Sequence, residues 1–236
     1  MRIVANESHI KTRMKIGERA PFVGLLVLVA AAVLLFVRQE LMWASMALVW
    51  VGFLVSLVGS YLGERYVGPL AYHKRVPELL KGLDNSYTLL LHKLPVPCVL
   101  LESGGVTVFT VKTQGGLVTY QDGKWQHRQK MGFLRRFAGQ ESLARPDQMA
   151  HAEREIIEAA IAKHLPEAVE VPVRSLILFT HPEVTLEIDN DTAPVPAIRG
   201  VEVKRWLRKN AMRPQLAEEA RTALEKALGV EPEDAG

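Results

Sequence analysis

Lys112 ends a run of residues whose types and spacing could do chemistry. Val99-Leu100-Leu101-Glu102 and Val106-Thr107-Val108-Phe109-Thr110-Val111-Lys112 flank Ser103-Gly104-Gly105. β-Branched and aromatic residues around a Gly-Gly turn predict a β-hairpin. A charge that closes an apolar strand needs a partner or a role, because an unpaired buried charge is costly. An ammonium in that place can orient a nucleophile or stabilise developing negative charge. Glu102, on the same hairpin, could turn inward toward such a site. Its place just before the turn instead predicts a solvated tip.

Other chemistry is thinner. The seven histidines show no metal-ligand spacing such as His-Glu-x-x-His. His181, before Pro182, reads as a turn residue. Thr113-Gln114-Gly115-Gly116 is too short to cradle phosphates. The single cysteine, Cys98, excludes an intrachain disulfide and a cysteine-based zinc site. Lys124, Arg128, Lys130, Arg135 and Arg136 share one acid-free segment with Trp125 and Phe133. Such a segment fits a nucleic-acid backbone, an anionic lipid surface, or a solvated loop.

The elements that must position these residues begin with two apolar runs. Residues 21–37 and 41–62 carry no charge and are 17 and 22 residues long, separated by Arg38-Gln39-Glu40. About 20 residues span a bilayer core, so the pair predicts an antiparallel transmembrane hairpin. A cleaved signal peptide fits less well. The first run is long for a signal core, lacks a polar end, and leads straight into a second span. Arg2, Lys11, Arg13, Lys15 and Arg19 precede the hairpin, while Arg65, Lys74, Arg75 and Lys81 follow it. That bias places both ends in the cytoplasm and the turn outside. Trp43, Tyr61 and Tyr66 suit the interfaces. Gly52, Ser56 and Ser60, with Gly59 and Gly63, recur every four residues. They suit close packing against the first span or, as an alternative, a second copy.

The expected organisation is a basic cytoplasmic tail at 1–20, the hairpin at 21–62, a cytoplasmic domain at 63–210, and a C-terminal helix and tail at 211–236. Strands are predicted at Ser86 to His92, in the hairpin, and at Leu117 to Tyr120 and Lys124 to Arg128 around Asp122-Gly123. A helix follows from Pro146 to Leu165, then strands at Val173 to Thr180 and Val184 to Ile188. Helices at Val203 to Lys209 and Leu216 to Leu228 close the chain. Strands first, then helix, strand and helix, predict an α/β fold around a mixed sheet. The net charge of +3 permits contact with nucleic acid or anionic lipid without demanding either.

The order of these features resembles the nuclease-related domain (NERD), which is similar to the PD-(D/E)xK endonucleases. Gly63-Glu64, a helix, Phe109-Thr110-Val111-Lys112, Gly115-Gly116, Gly123-Lys124-Trp125 and Arg145-Pro146-Asp147-Gln148 carry the resemblance, over roughly Gly63 to Lys209. It implies a restriction-endonuclease-like mixed sheet flanked by helices. In that superfamily an aspartate stands on the first hairpin strand, Glu-x-Lys on the second, and Glu or Gln on the next helix. The carboxylates hold Mg²⁺, which clamps phosphate oxygens and activates water. By resemblance Lys112, Gln148 and Glu64 match catalytic positions. Thr110 stands in the glutamate position, and the aspartate position falls at or next to Pro97. Neither replaces a carboxylate on Mg²⁺.

Glu202-Val203-Lys204, downstream of Asp189 and Asp191, is a literal Glu-x-Lys, but Arg205-Trp206-Leu207-Arg208-Lys209 predicts helix there. The expected protein is a two-span membrane anchor carrying a NERD-like domain whose metal site has decayed. It would act as a binding or scaffold module for which nucleic acid is a candidate ligand. No cofactor is then expected. The alternatives are a Mg²⁺-dependent nuclease using Glu64, Glu102, Gln148 and Lys112, or a structural membrane protein. Expected partners are the bilayer, nucleic acid, and a second copy through the second span.

Overall fold

The computed structural model describes residues 1–128, 143–165 and 170–230. They fall into two units, one formed by residues 7–71 and the other by residues 1–6 and those from 72 onward. The chain starts with a strand, β1 (Arg2–Ala5), and turns at Asn6 into a helix, α1 (Glu7–Val37). Residues 1–20 are therefore not a tail: Arg2–Ala5 join a sheet and Glu7 onward opens α1. The alternation in Arg2-Ile3-Val4-Ala5 is too brief to stand out without its sheet partner.

The hairpin unit consists of α1, a single 3₁₀ turn at Gln39–Leu41, α2 (Met42–Leu62), and one π turn at Gly63–Val67. Both helices are long and apolar enough to cross a membrane, with windows of mean hydropathy 2.8 and 2.1. Their apolar side chains face outward; Phe36 is 83% exposed and Trp43 77%. The buried residues are Ile10, Gly17, Gly24 and Ala31 on α1, and Ser45, Gly52, Gly59 and Leu62 on α2, with Tyr66 just beyond. Apart from Leu62, each set repeats every seven residues, the interval at which two helices keep one face together. Gly52, Ser56, Gly59 and Gly63 of the expected four-residue pattern all meet α1, the buried members recurring every seven residues.

The backbones approach closely. A Cβ on Gly24 would lie 2.1 Å from Ser56 Oγ, and one on Gly59 would lie 2.5 Å from Pro21 Cδ. Ser45 Oγ donates to Ala31 O at 2.6 Å, so its hydroxyl is satisfied between the helices.

The other unit continues with α3 (Tyr72–Leu80), β2 (Thr88–Leu91), β3 (Cys98–Glu102), β4 (Gly105–Lys112), β5 (Gly116–Gln121) and β6 (Lys124–Arg128). Then come α4 (Pro146–Ala162), β7 (Val173–Phe179), β8 (Val184–Glu187), β9 (Ala197–Arg199), α5 (Val203–Lys209) and α6 (Glu218–Ala227). The main sheet has the order β1-β2-β3-β4-β7-β9, and a small sheet has the order β6-β5-β8. In the main sheet only β3 runs against its neighbours. Both strand pairs foreseen as hairpins form. Asp122 and Gly123, at φ 50° and 73°, supply the left-handed turn between β5 and β6. The β3–β4 turn is Ser103-Gly104, because Gly105 already pairs with Glu102. A Cβ on Gly104 would lie 2.2 Å from Met212 O.

Alternation along β3 and β4 feeds two cores. Leu100, Phe109 and Val111 pack with Val76 and Leu80 of α3 and Val203 and Leu207 of α5. Val99, Val106 and Val108 pack on the other face with Ile157 and Ile161 of α4 and Leu224 of α6. Residues 211–236 were expected to stand apart, yet α6 belongs to this core. A third cluster, including Val118, Ala150 and Phe179, joins the small sheet to the main one. The result is a mixed sheet with helices on both faces.

Candidate functional site

Lys112 sits at the carboxyl end of β4, beside the carboxyl end of its parallel neighbour β7. Ligands of α/β sheets gather at this edge. The parity of Val106, Val108 and Lys112 directs the lysine to the face that α4 covers. It is only 2% exposed. Its Nζ lies 3.4 Å from Met149 Sδ, a soft and weak acceptor. One turn further along α4, buried Glu153 accepts a hydrogen bond from Thr110 Oγ1. Thr110 thus stands where the resemblance calls for a glutamate, and the local carboxylate comes from the helix instead. Continuing the β3–β4 register by two residues places Pro97 opposite Thr110.

Gln148 is exposed on α4, and Met149 takes the place against the lysine. The helix forms where the sequence predicts it, and the residue matched by resemblance, Gln148, lies on its outer side. Buried Pro146, Ala150, Glu153 and Ile157 define the inner stripe. Asp147 Oδ1, in the first turn of α4, is buried and has no hydrogen-bond partner among the described residues. Glu64 lies in the π turn of the other unit.

Glu102 is not a solvated tip. It is 2% exposed, and Arg174 Nη2 donates to its Oε1 and Oε2 at 2.8 and 3.0 Å. Thr107 Oγ1 also donates to Glu102, and Arg174 Nε donates to Thr107 Oγ1 at 2.7 Å. The guanidinium lies 4.6 Å from the centre of the Trp206 ring and donates to Asn210 O. Because Glu102 pairs with Gly105, seven residues separate its level from Lys112, about 23 Å along the strand. It cannot serve a site at Lys112. No sequence signal marked Arg174 as its partner, since the two lie 72 residues apart.

The remaining candidates have structural partners. Glu202 accepts from Arg199 at 2.9 Å and from Arg205 at 3.3 Å, and α5 begins directly after it. Its carboxyl is held below the usual range by the Arg199 hydrogen bond, against some desolvation. Lys204 Nζ donates to Lys81 O. Asp189 caps a turn through Asp191 N. His181 Nδ1 accepts from Glu183 N at 3.1 Å, the turn role expected of it. Burial pushes the Cys98 thiol well above its ordinary pKa, with the Glu153 charge a second cause, so it is no nucleophile at neutral pH.

Among the described residues no three His, Cys, Asp or Glu side chains gather in a metal-binding group. Met149 sets a thioether beside Lys112 and Thr110 a neutral hydroxyl on Glu153, a donor set poorer in carboxylates than Mg²⁺ sites usually offer. Lys124 and Arg128 are exposed on β6; Lys130, Arg135 and Arg136 lie outside the described residues. No protein-family profile, curated protein or solved structure matches the chain.

Proposed function

We propose that this protein is a membrane-anchored binding or scaffold module, built on a nuclease-related fold that no longer cleaves. The observation that carries the reading is the Thr110–Glu153 hydrogen bond beneath Lys112. Thr110, a neutral hydroxyl where a nuclease metal site would carry a carboxylate, occupies that position and donates to Glu153. The adjacent antiparallel strands β3 and β4, with α4 following and covering the face of Lys112, support descent from the NERD and PD-(D/E)xK arrangement.

The apolar windows support the anchor. Only 11% of each is buried, whereas a core helix of a soluble domain hides most of its apolar surface. Pairing of β1 with β2 supports two crossings, because the chain leaves the sheet, runs out and back, and rejoins it. The cationic flanks support an orientation with both ends in the cytoplasm. Nucleic acid as the ligand rests on Lys124 and Arg128 and the basic residues after them. Lys112 is too buried to touch a phosphate as it stands.

The test uses the purified full chain in detergent or vesicles, with DNA and RNA and with Mg²⁺ or Mn²⁺. We expect no cleavage. Metal-dependent cleavage abolished by Lys112→Ala overturns the reading and establishes the active nuclease. Binding without cleavage that weakens steeply with salt identifies nucleic acid as the ligand. Absence of binding leaves the scaffold role.

A further inference from the structure

We propose that the helical hairpin carries a binding collar for an anionic phospholipid headgroup, formed by Lys15, Arg19, Tyr61 and Arg65. This rests on the membrane reading above. The register of the hairpin is strictly antiparallel. Gly17 meets Gly63, Pro21 meets Gly59, Gly24 meets Ser56 and Leu28 meets Gly52. Each residue gained along α1 is matched by one lost along α2. That register brings Arg19 level with Tyr61, and Lys15 level with Arg65.

The level is also the edge of the apolar surface. Arg19 stands two residues before the uncharged run that starts at Pro21, and Tyr61 stands one residue before the end of the second run at Leu62. Charges here lie at headgroup depth, about 3 Å from the first apolar residue. Lys15 and Arg19 are exposed, one helical turn apart on α1, and neither is in an ion pair among the described residues. Lys11, one turn further out, is already committed to Glu7 at 2.6 Å. The Arg65 guanidinium lies 5.7 Å from the Tyr61 ring centre and donates to its hydroxyl. This turns an aromatic ring and a fork of donors toward the same interface.

Glu18 and Glu64 are the acids at this level, so the three cations leave it net positive. A phosphodiester headgroup matches this set: a phosphate for the cations, glycerol oxygens for the tyrosine, and acyl chains along the exposed apolar face. Each juxtamembrane cation strengthens the attraction to an anionic surface.

The experiment reconstitutes the full chain into phosphatidylcholine vesicles with a trace of spin-labelled lipid and compares the protein-restricted fractions of phosphatidylglycerol and phosphatidylcholine. We expect about fivefold or greater preference for phosphatidylglycerol. The triple variant Lys15→Gln, Arg19→Gln, Arg65→Gln abolishes it, whereas Arg38→Gln, at the opposite end of the hairpin, retains it. Excess inorganic phosphate at matched ionic strength leaves the preference intact. Equal association of both lipids, or a preference that survives the triple variant, overturns the collar. Competition by inorganic phosphate also overturns it and points to a free-anion site. A chain that fails to enter vesicles overturns the membrane reading together with the collar, whereas entry without lipid preference overturns the collar alone.

Discussion

Two buried charges, Lys112 and Glu102, belong to one hairpin and lie at different levels of it. Glu102 is compensated by Arg174, Thr107 and a stacked Trp206, so its place is structural. Arg174→Ala leaves that carboxylate buried without its counter-charge, and we expect a loss of about 3 kcal/mol. Thermal unfolding of the full chain in detergent, followed by tryptophan fluorescence, checks it. An unchanged midpoint would mean that the network contributes little. A pH effect follows from His73, whose pKa is lowered first by burial and second by Lys74. Its contribution is complete above the ordinary histidine pKa of about 6.5. Below that value the unfolded chain binds a proton that the folded chain resists, so stability falls as pH drops toward the folded-state pKa. Acidification should lower the unfolding midpoint of the native chain more than that of His73→Gln.

At the scale of elements, the heptad glycines make the hairpin a closely fitted pair rather than two independent spans. Gly24→Leu drives a side chain into Ser56 and the Gly52 backbone and must force the helices apart. An Ala20→Cys, Ser60→Cys pair, level in the native register, should crosslink readily in the native background and fail to do so with Gly24→Leu. Retained crosslinking would show that the pair separates elsewhere. Because this small-residue face is filled inside one chain, homodimerisation through the second span would have to use another face. Helix α6 makes the same point for the domain. Leu224 and Leu228 sit in the core over α4, so removal of residues 211–236 should expose apolar surface and cause aggregation, measured by light scattering.

For the whole molecule, β1 decides how the chain is threaded. The strand before the first apolar helix and the strand after the second are hydrogen-bonded neighbours, so on the membrane reading proposed above we expect the two termini on one side of the bilayer. Tags at the two ends should both be protected from protease in sealed right-side-out vesicles and both be cleaved in inverted ones. A split result would refute the two-span topology. The +3 charge says little at this scale; its distribution along α1 and the hairpin flanks says more.

The sequence by itself determined what neighbours along the chain decide. The charge-free runs, the Asp122-Gly123 turn, the β3–β4 hairpin and the start of α4 at Pro146 are local signals, and each was legible. Tertiary structure alone decided whatever depends on residues far apart. Four residues at the start become a strand only because β2 offers an edge. Glu102 is buried only because Arg174 arrives 72 positions later. Met149 meets Lys112 and Gln148 is exposed because the packing of α4 on the sheet fixes its rotation. The lysine that marks the candidate site could be read from the sequence, but its company of a threonine, a thioether and one engaged carboxylate was set by the fold.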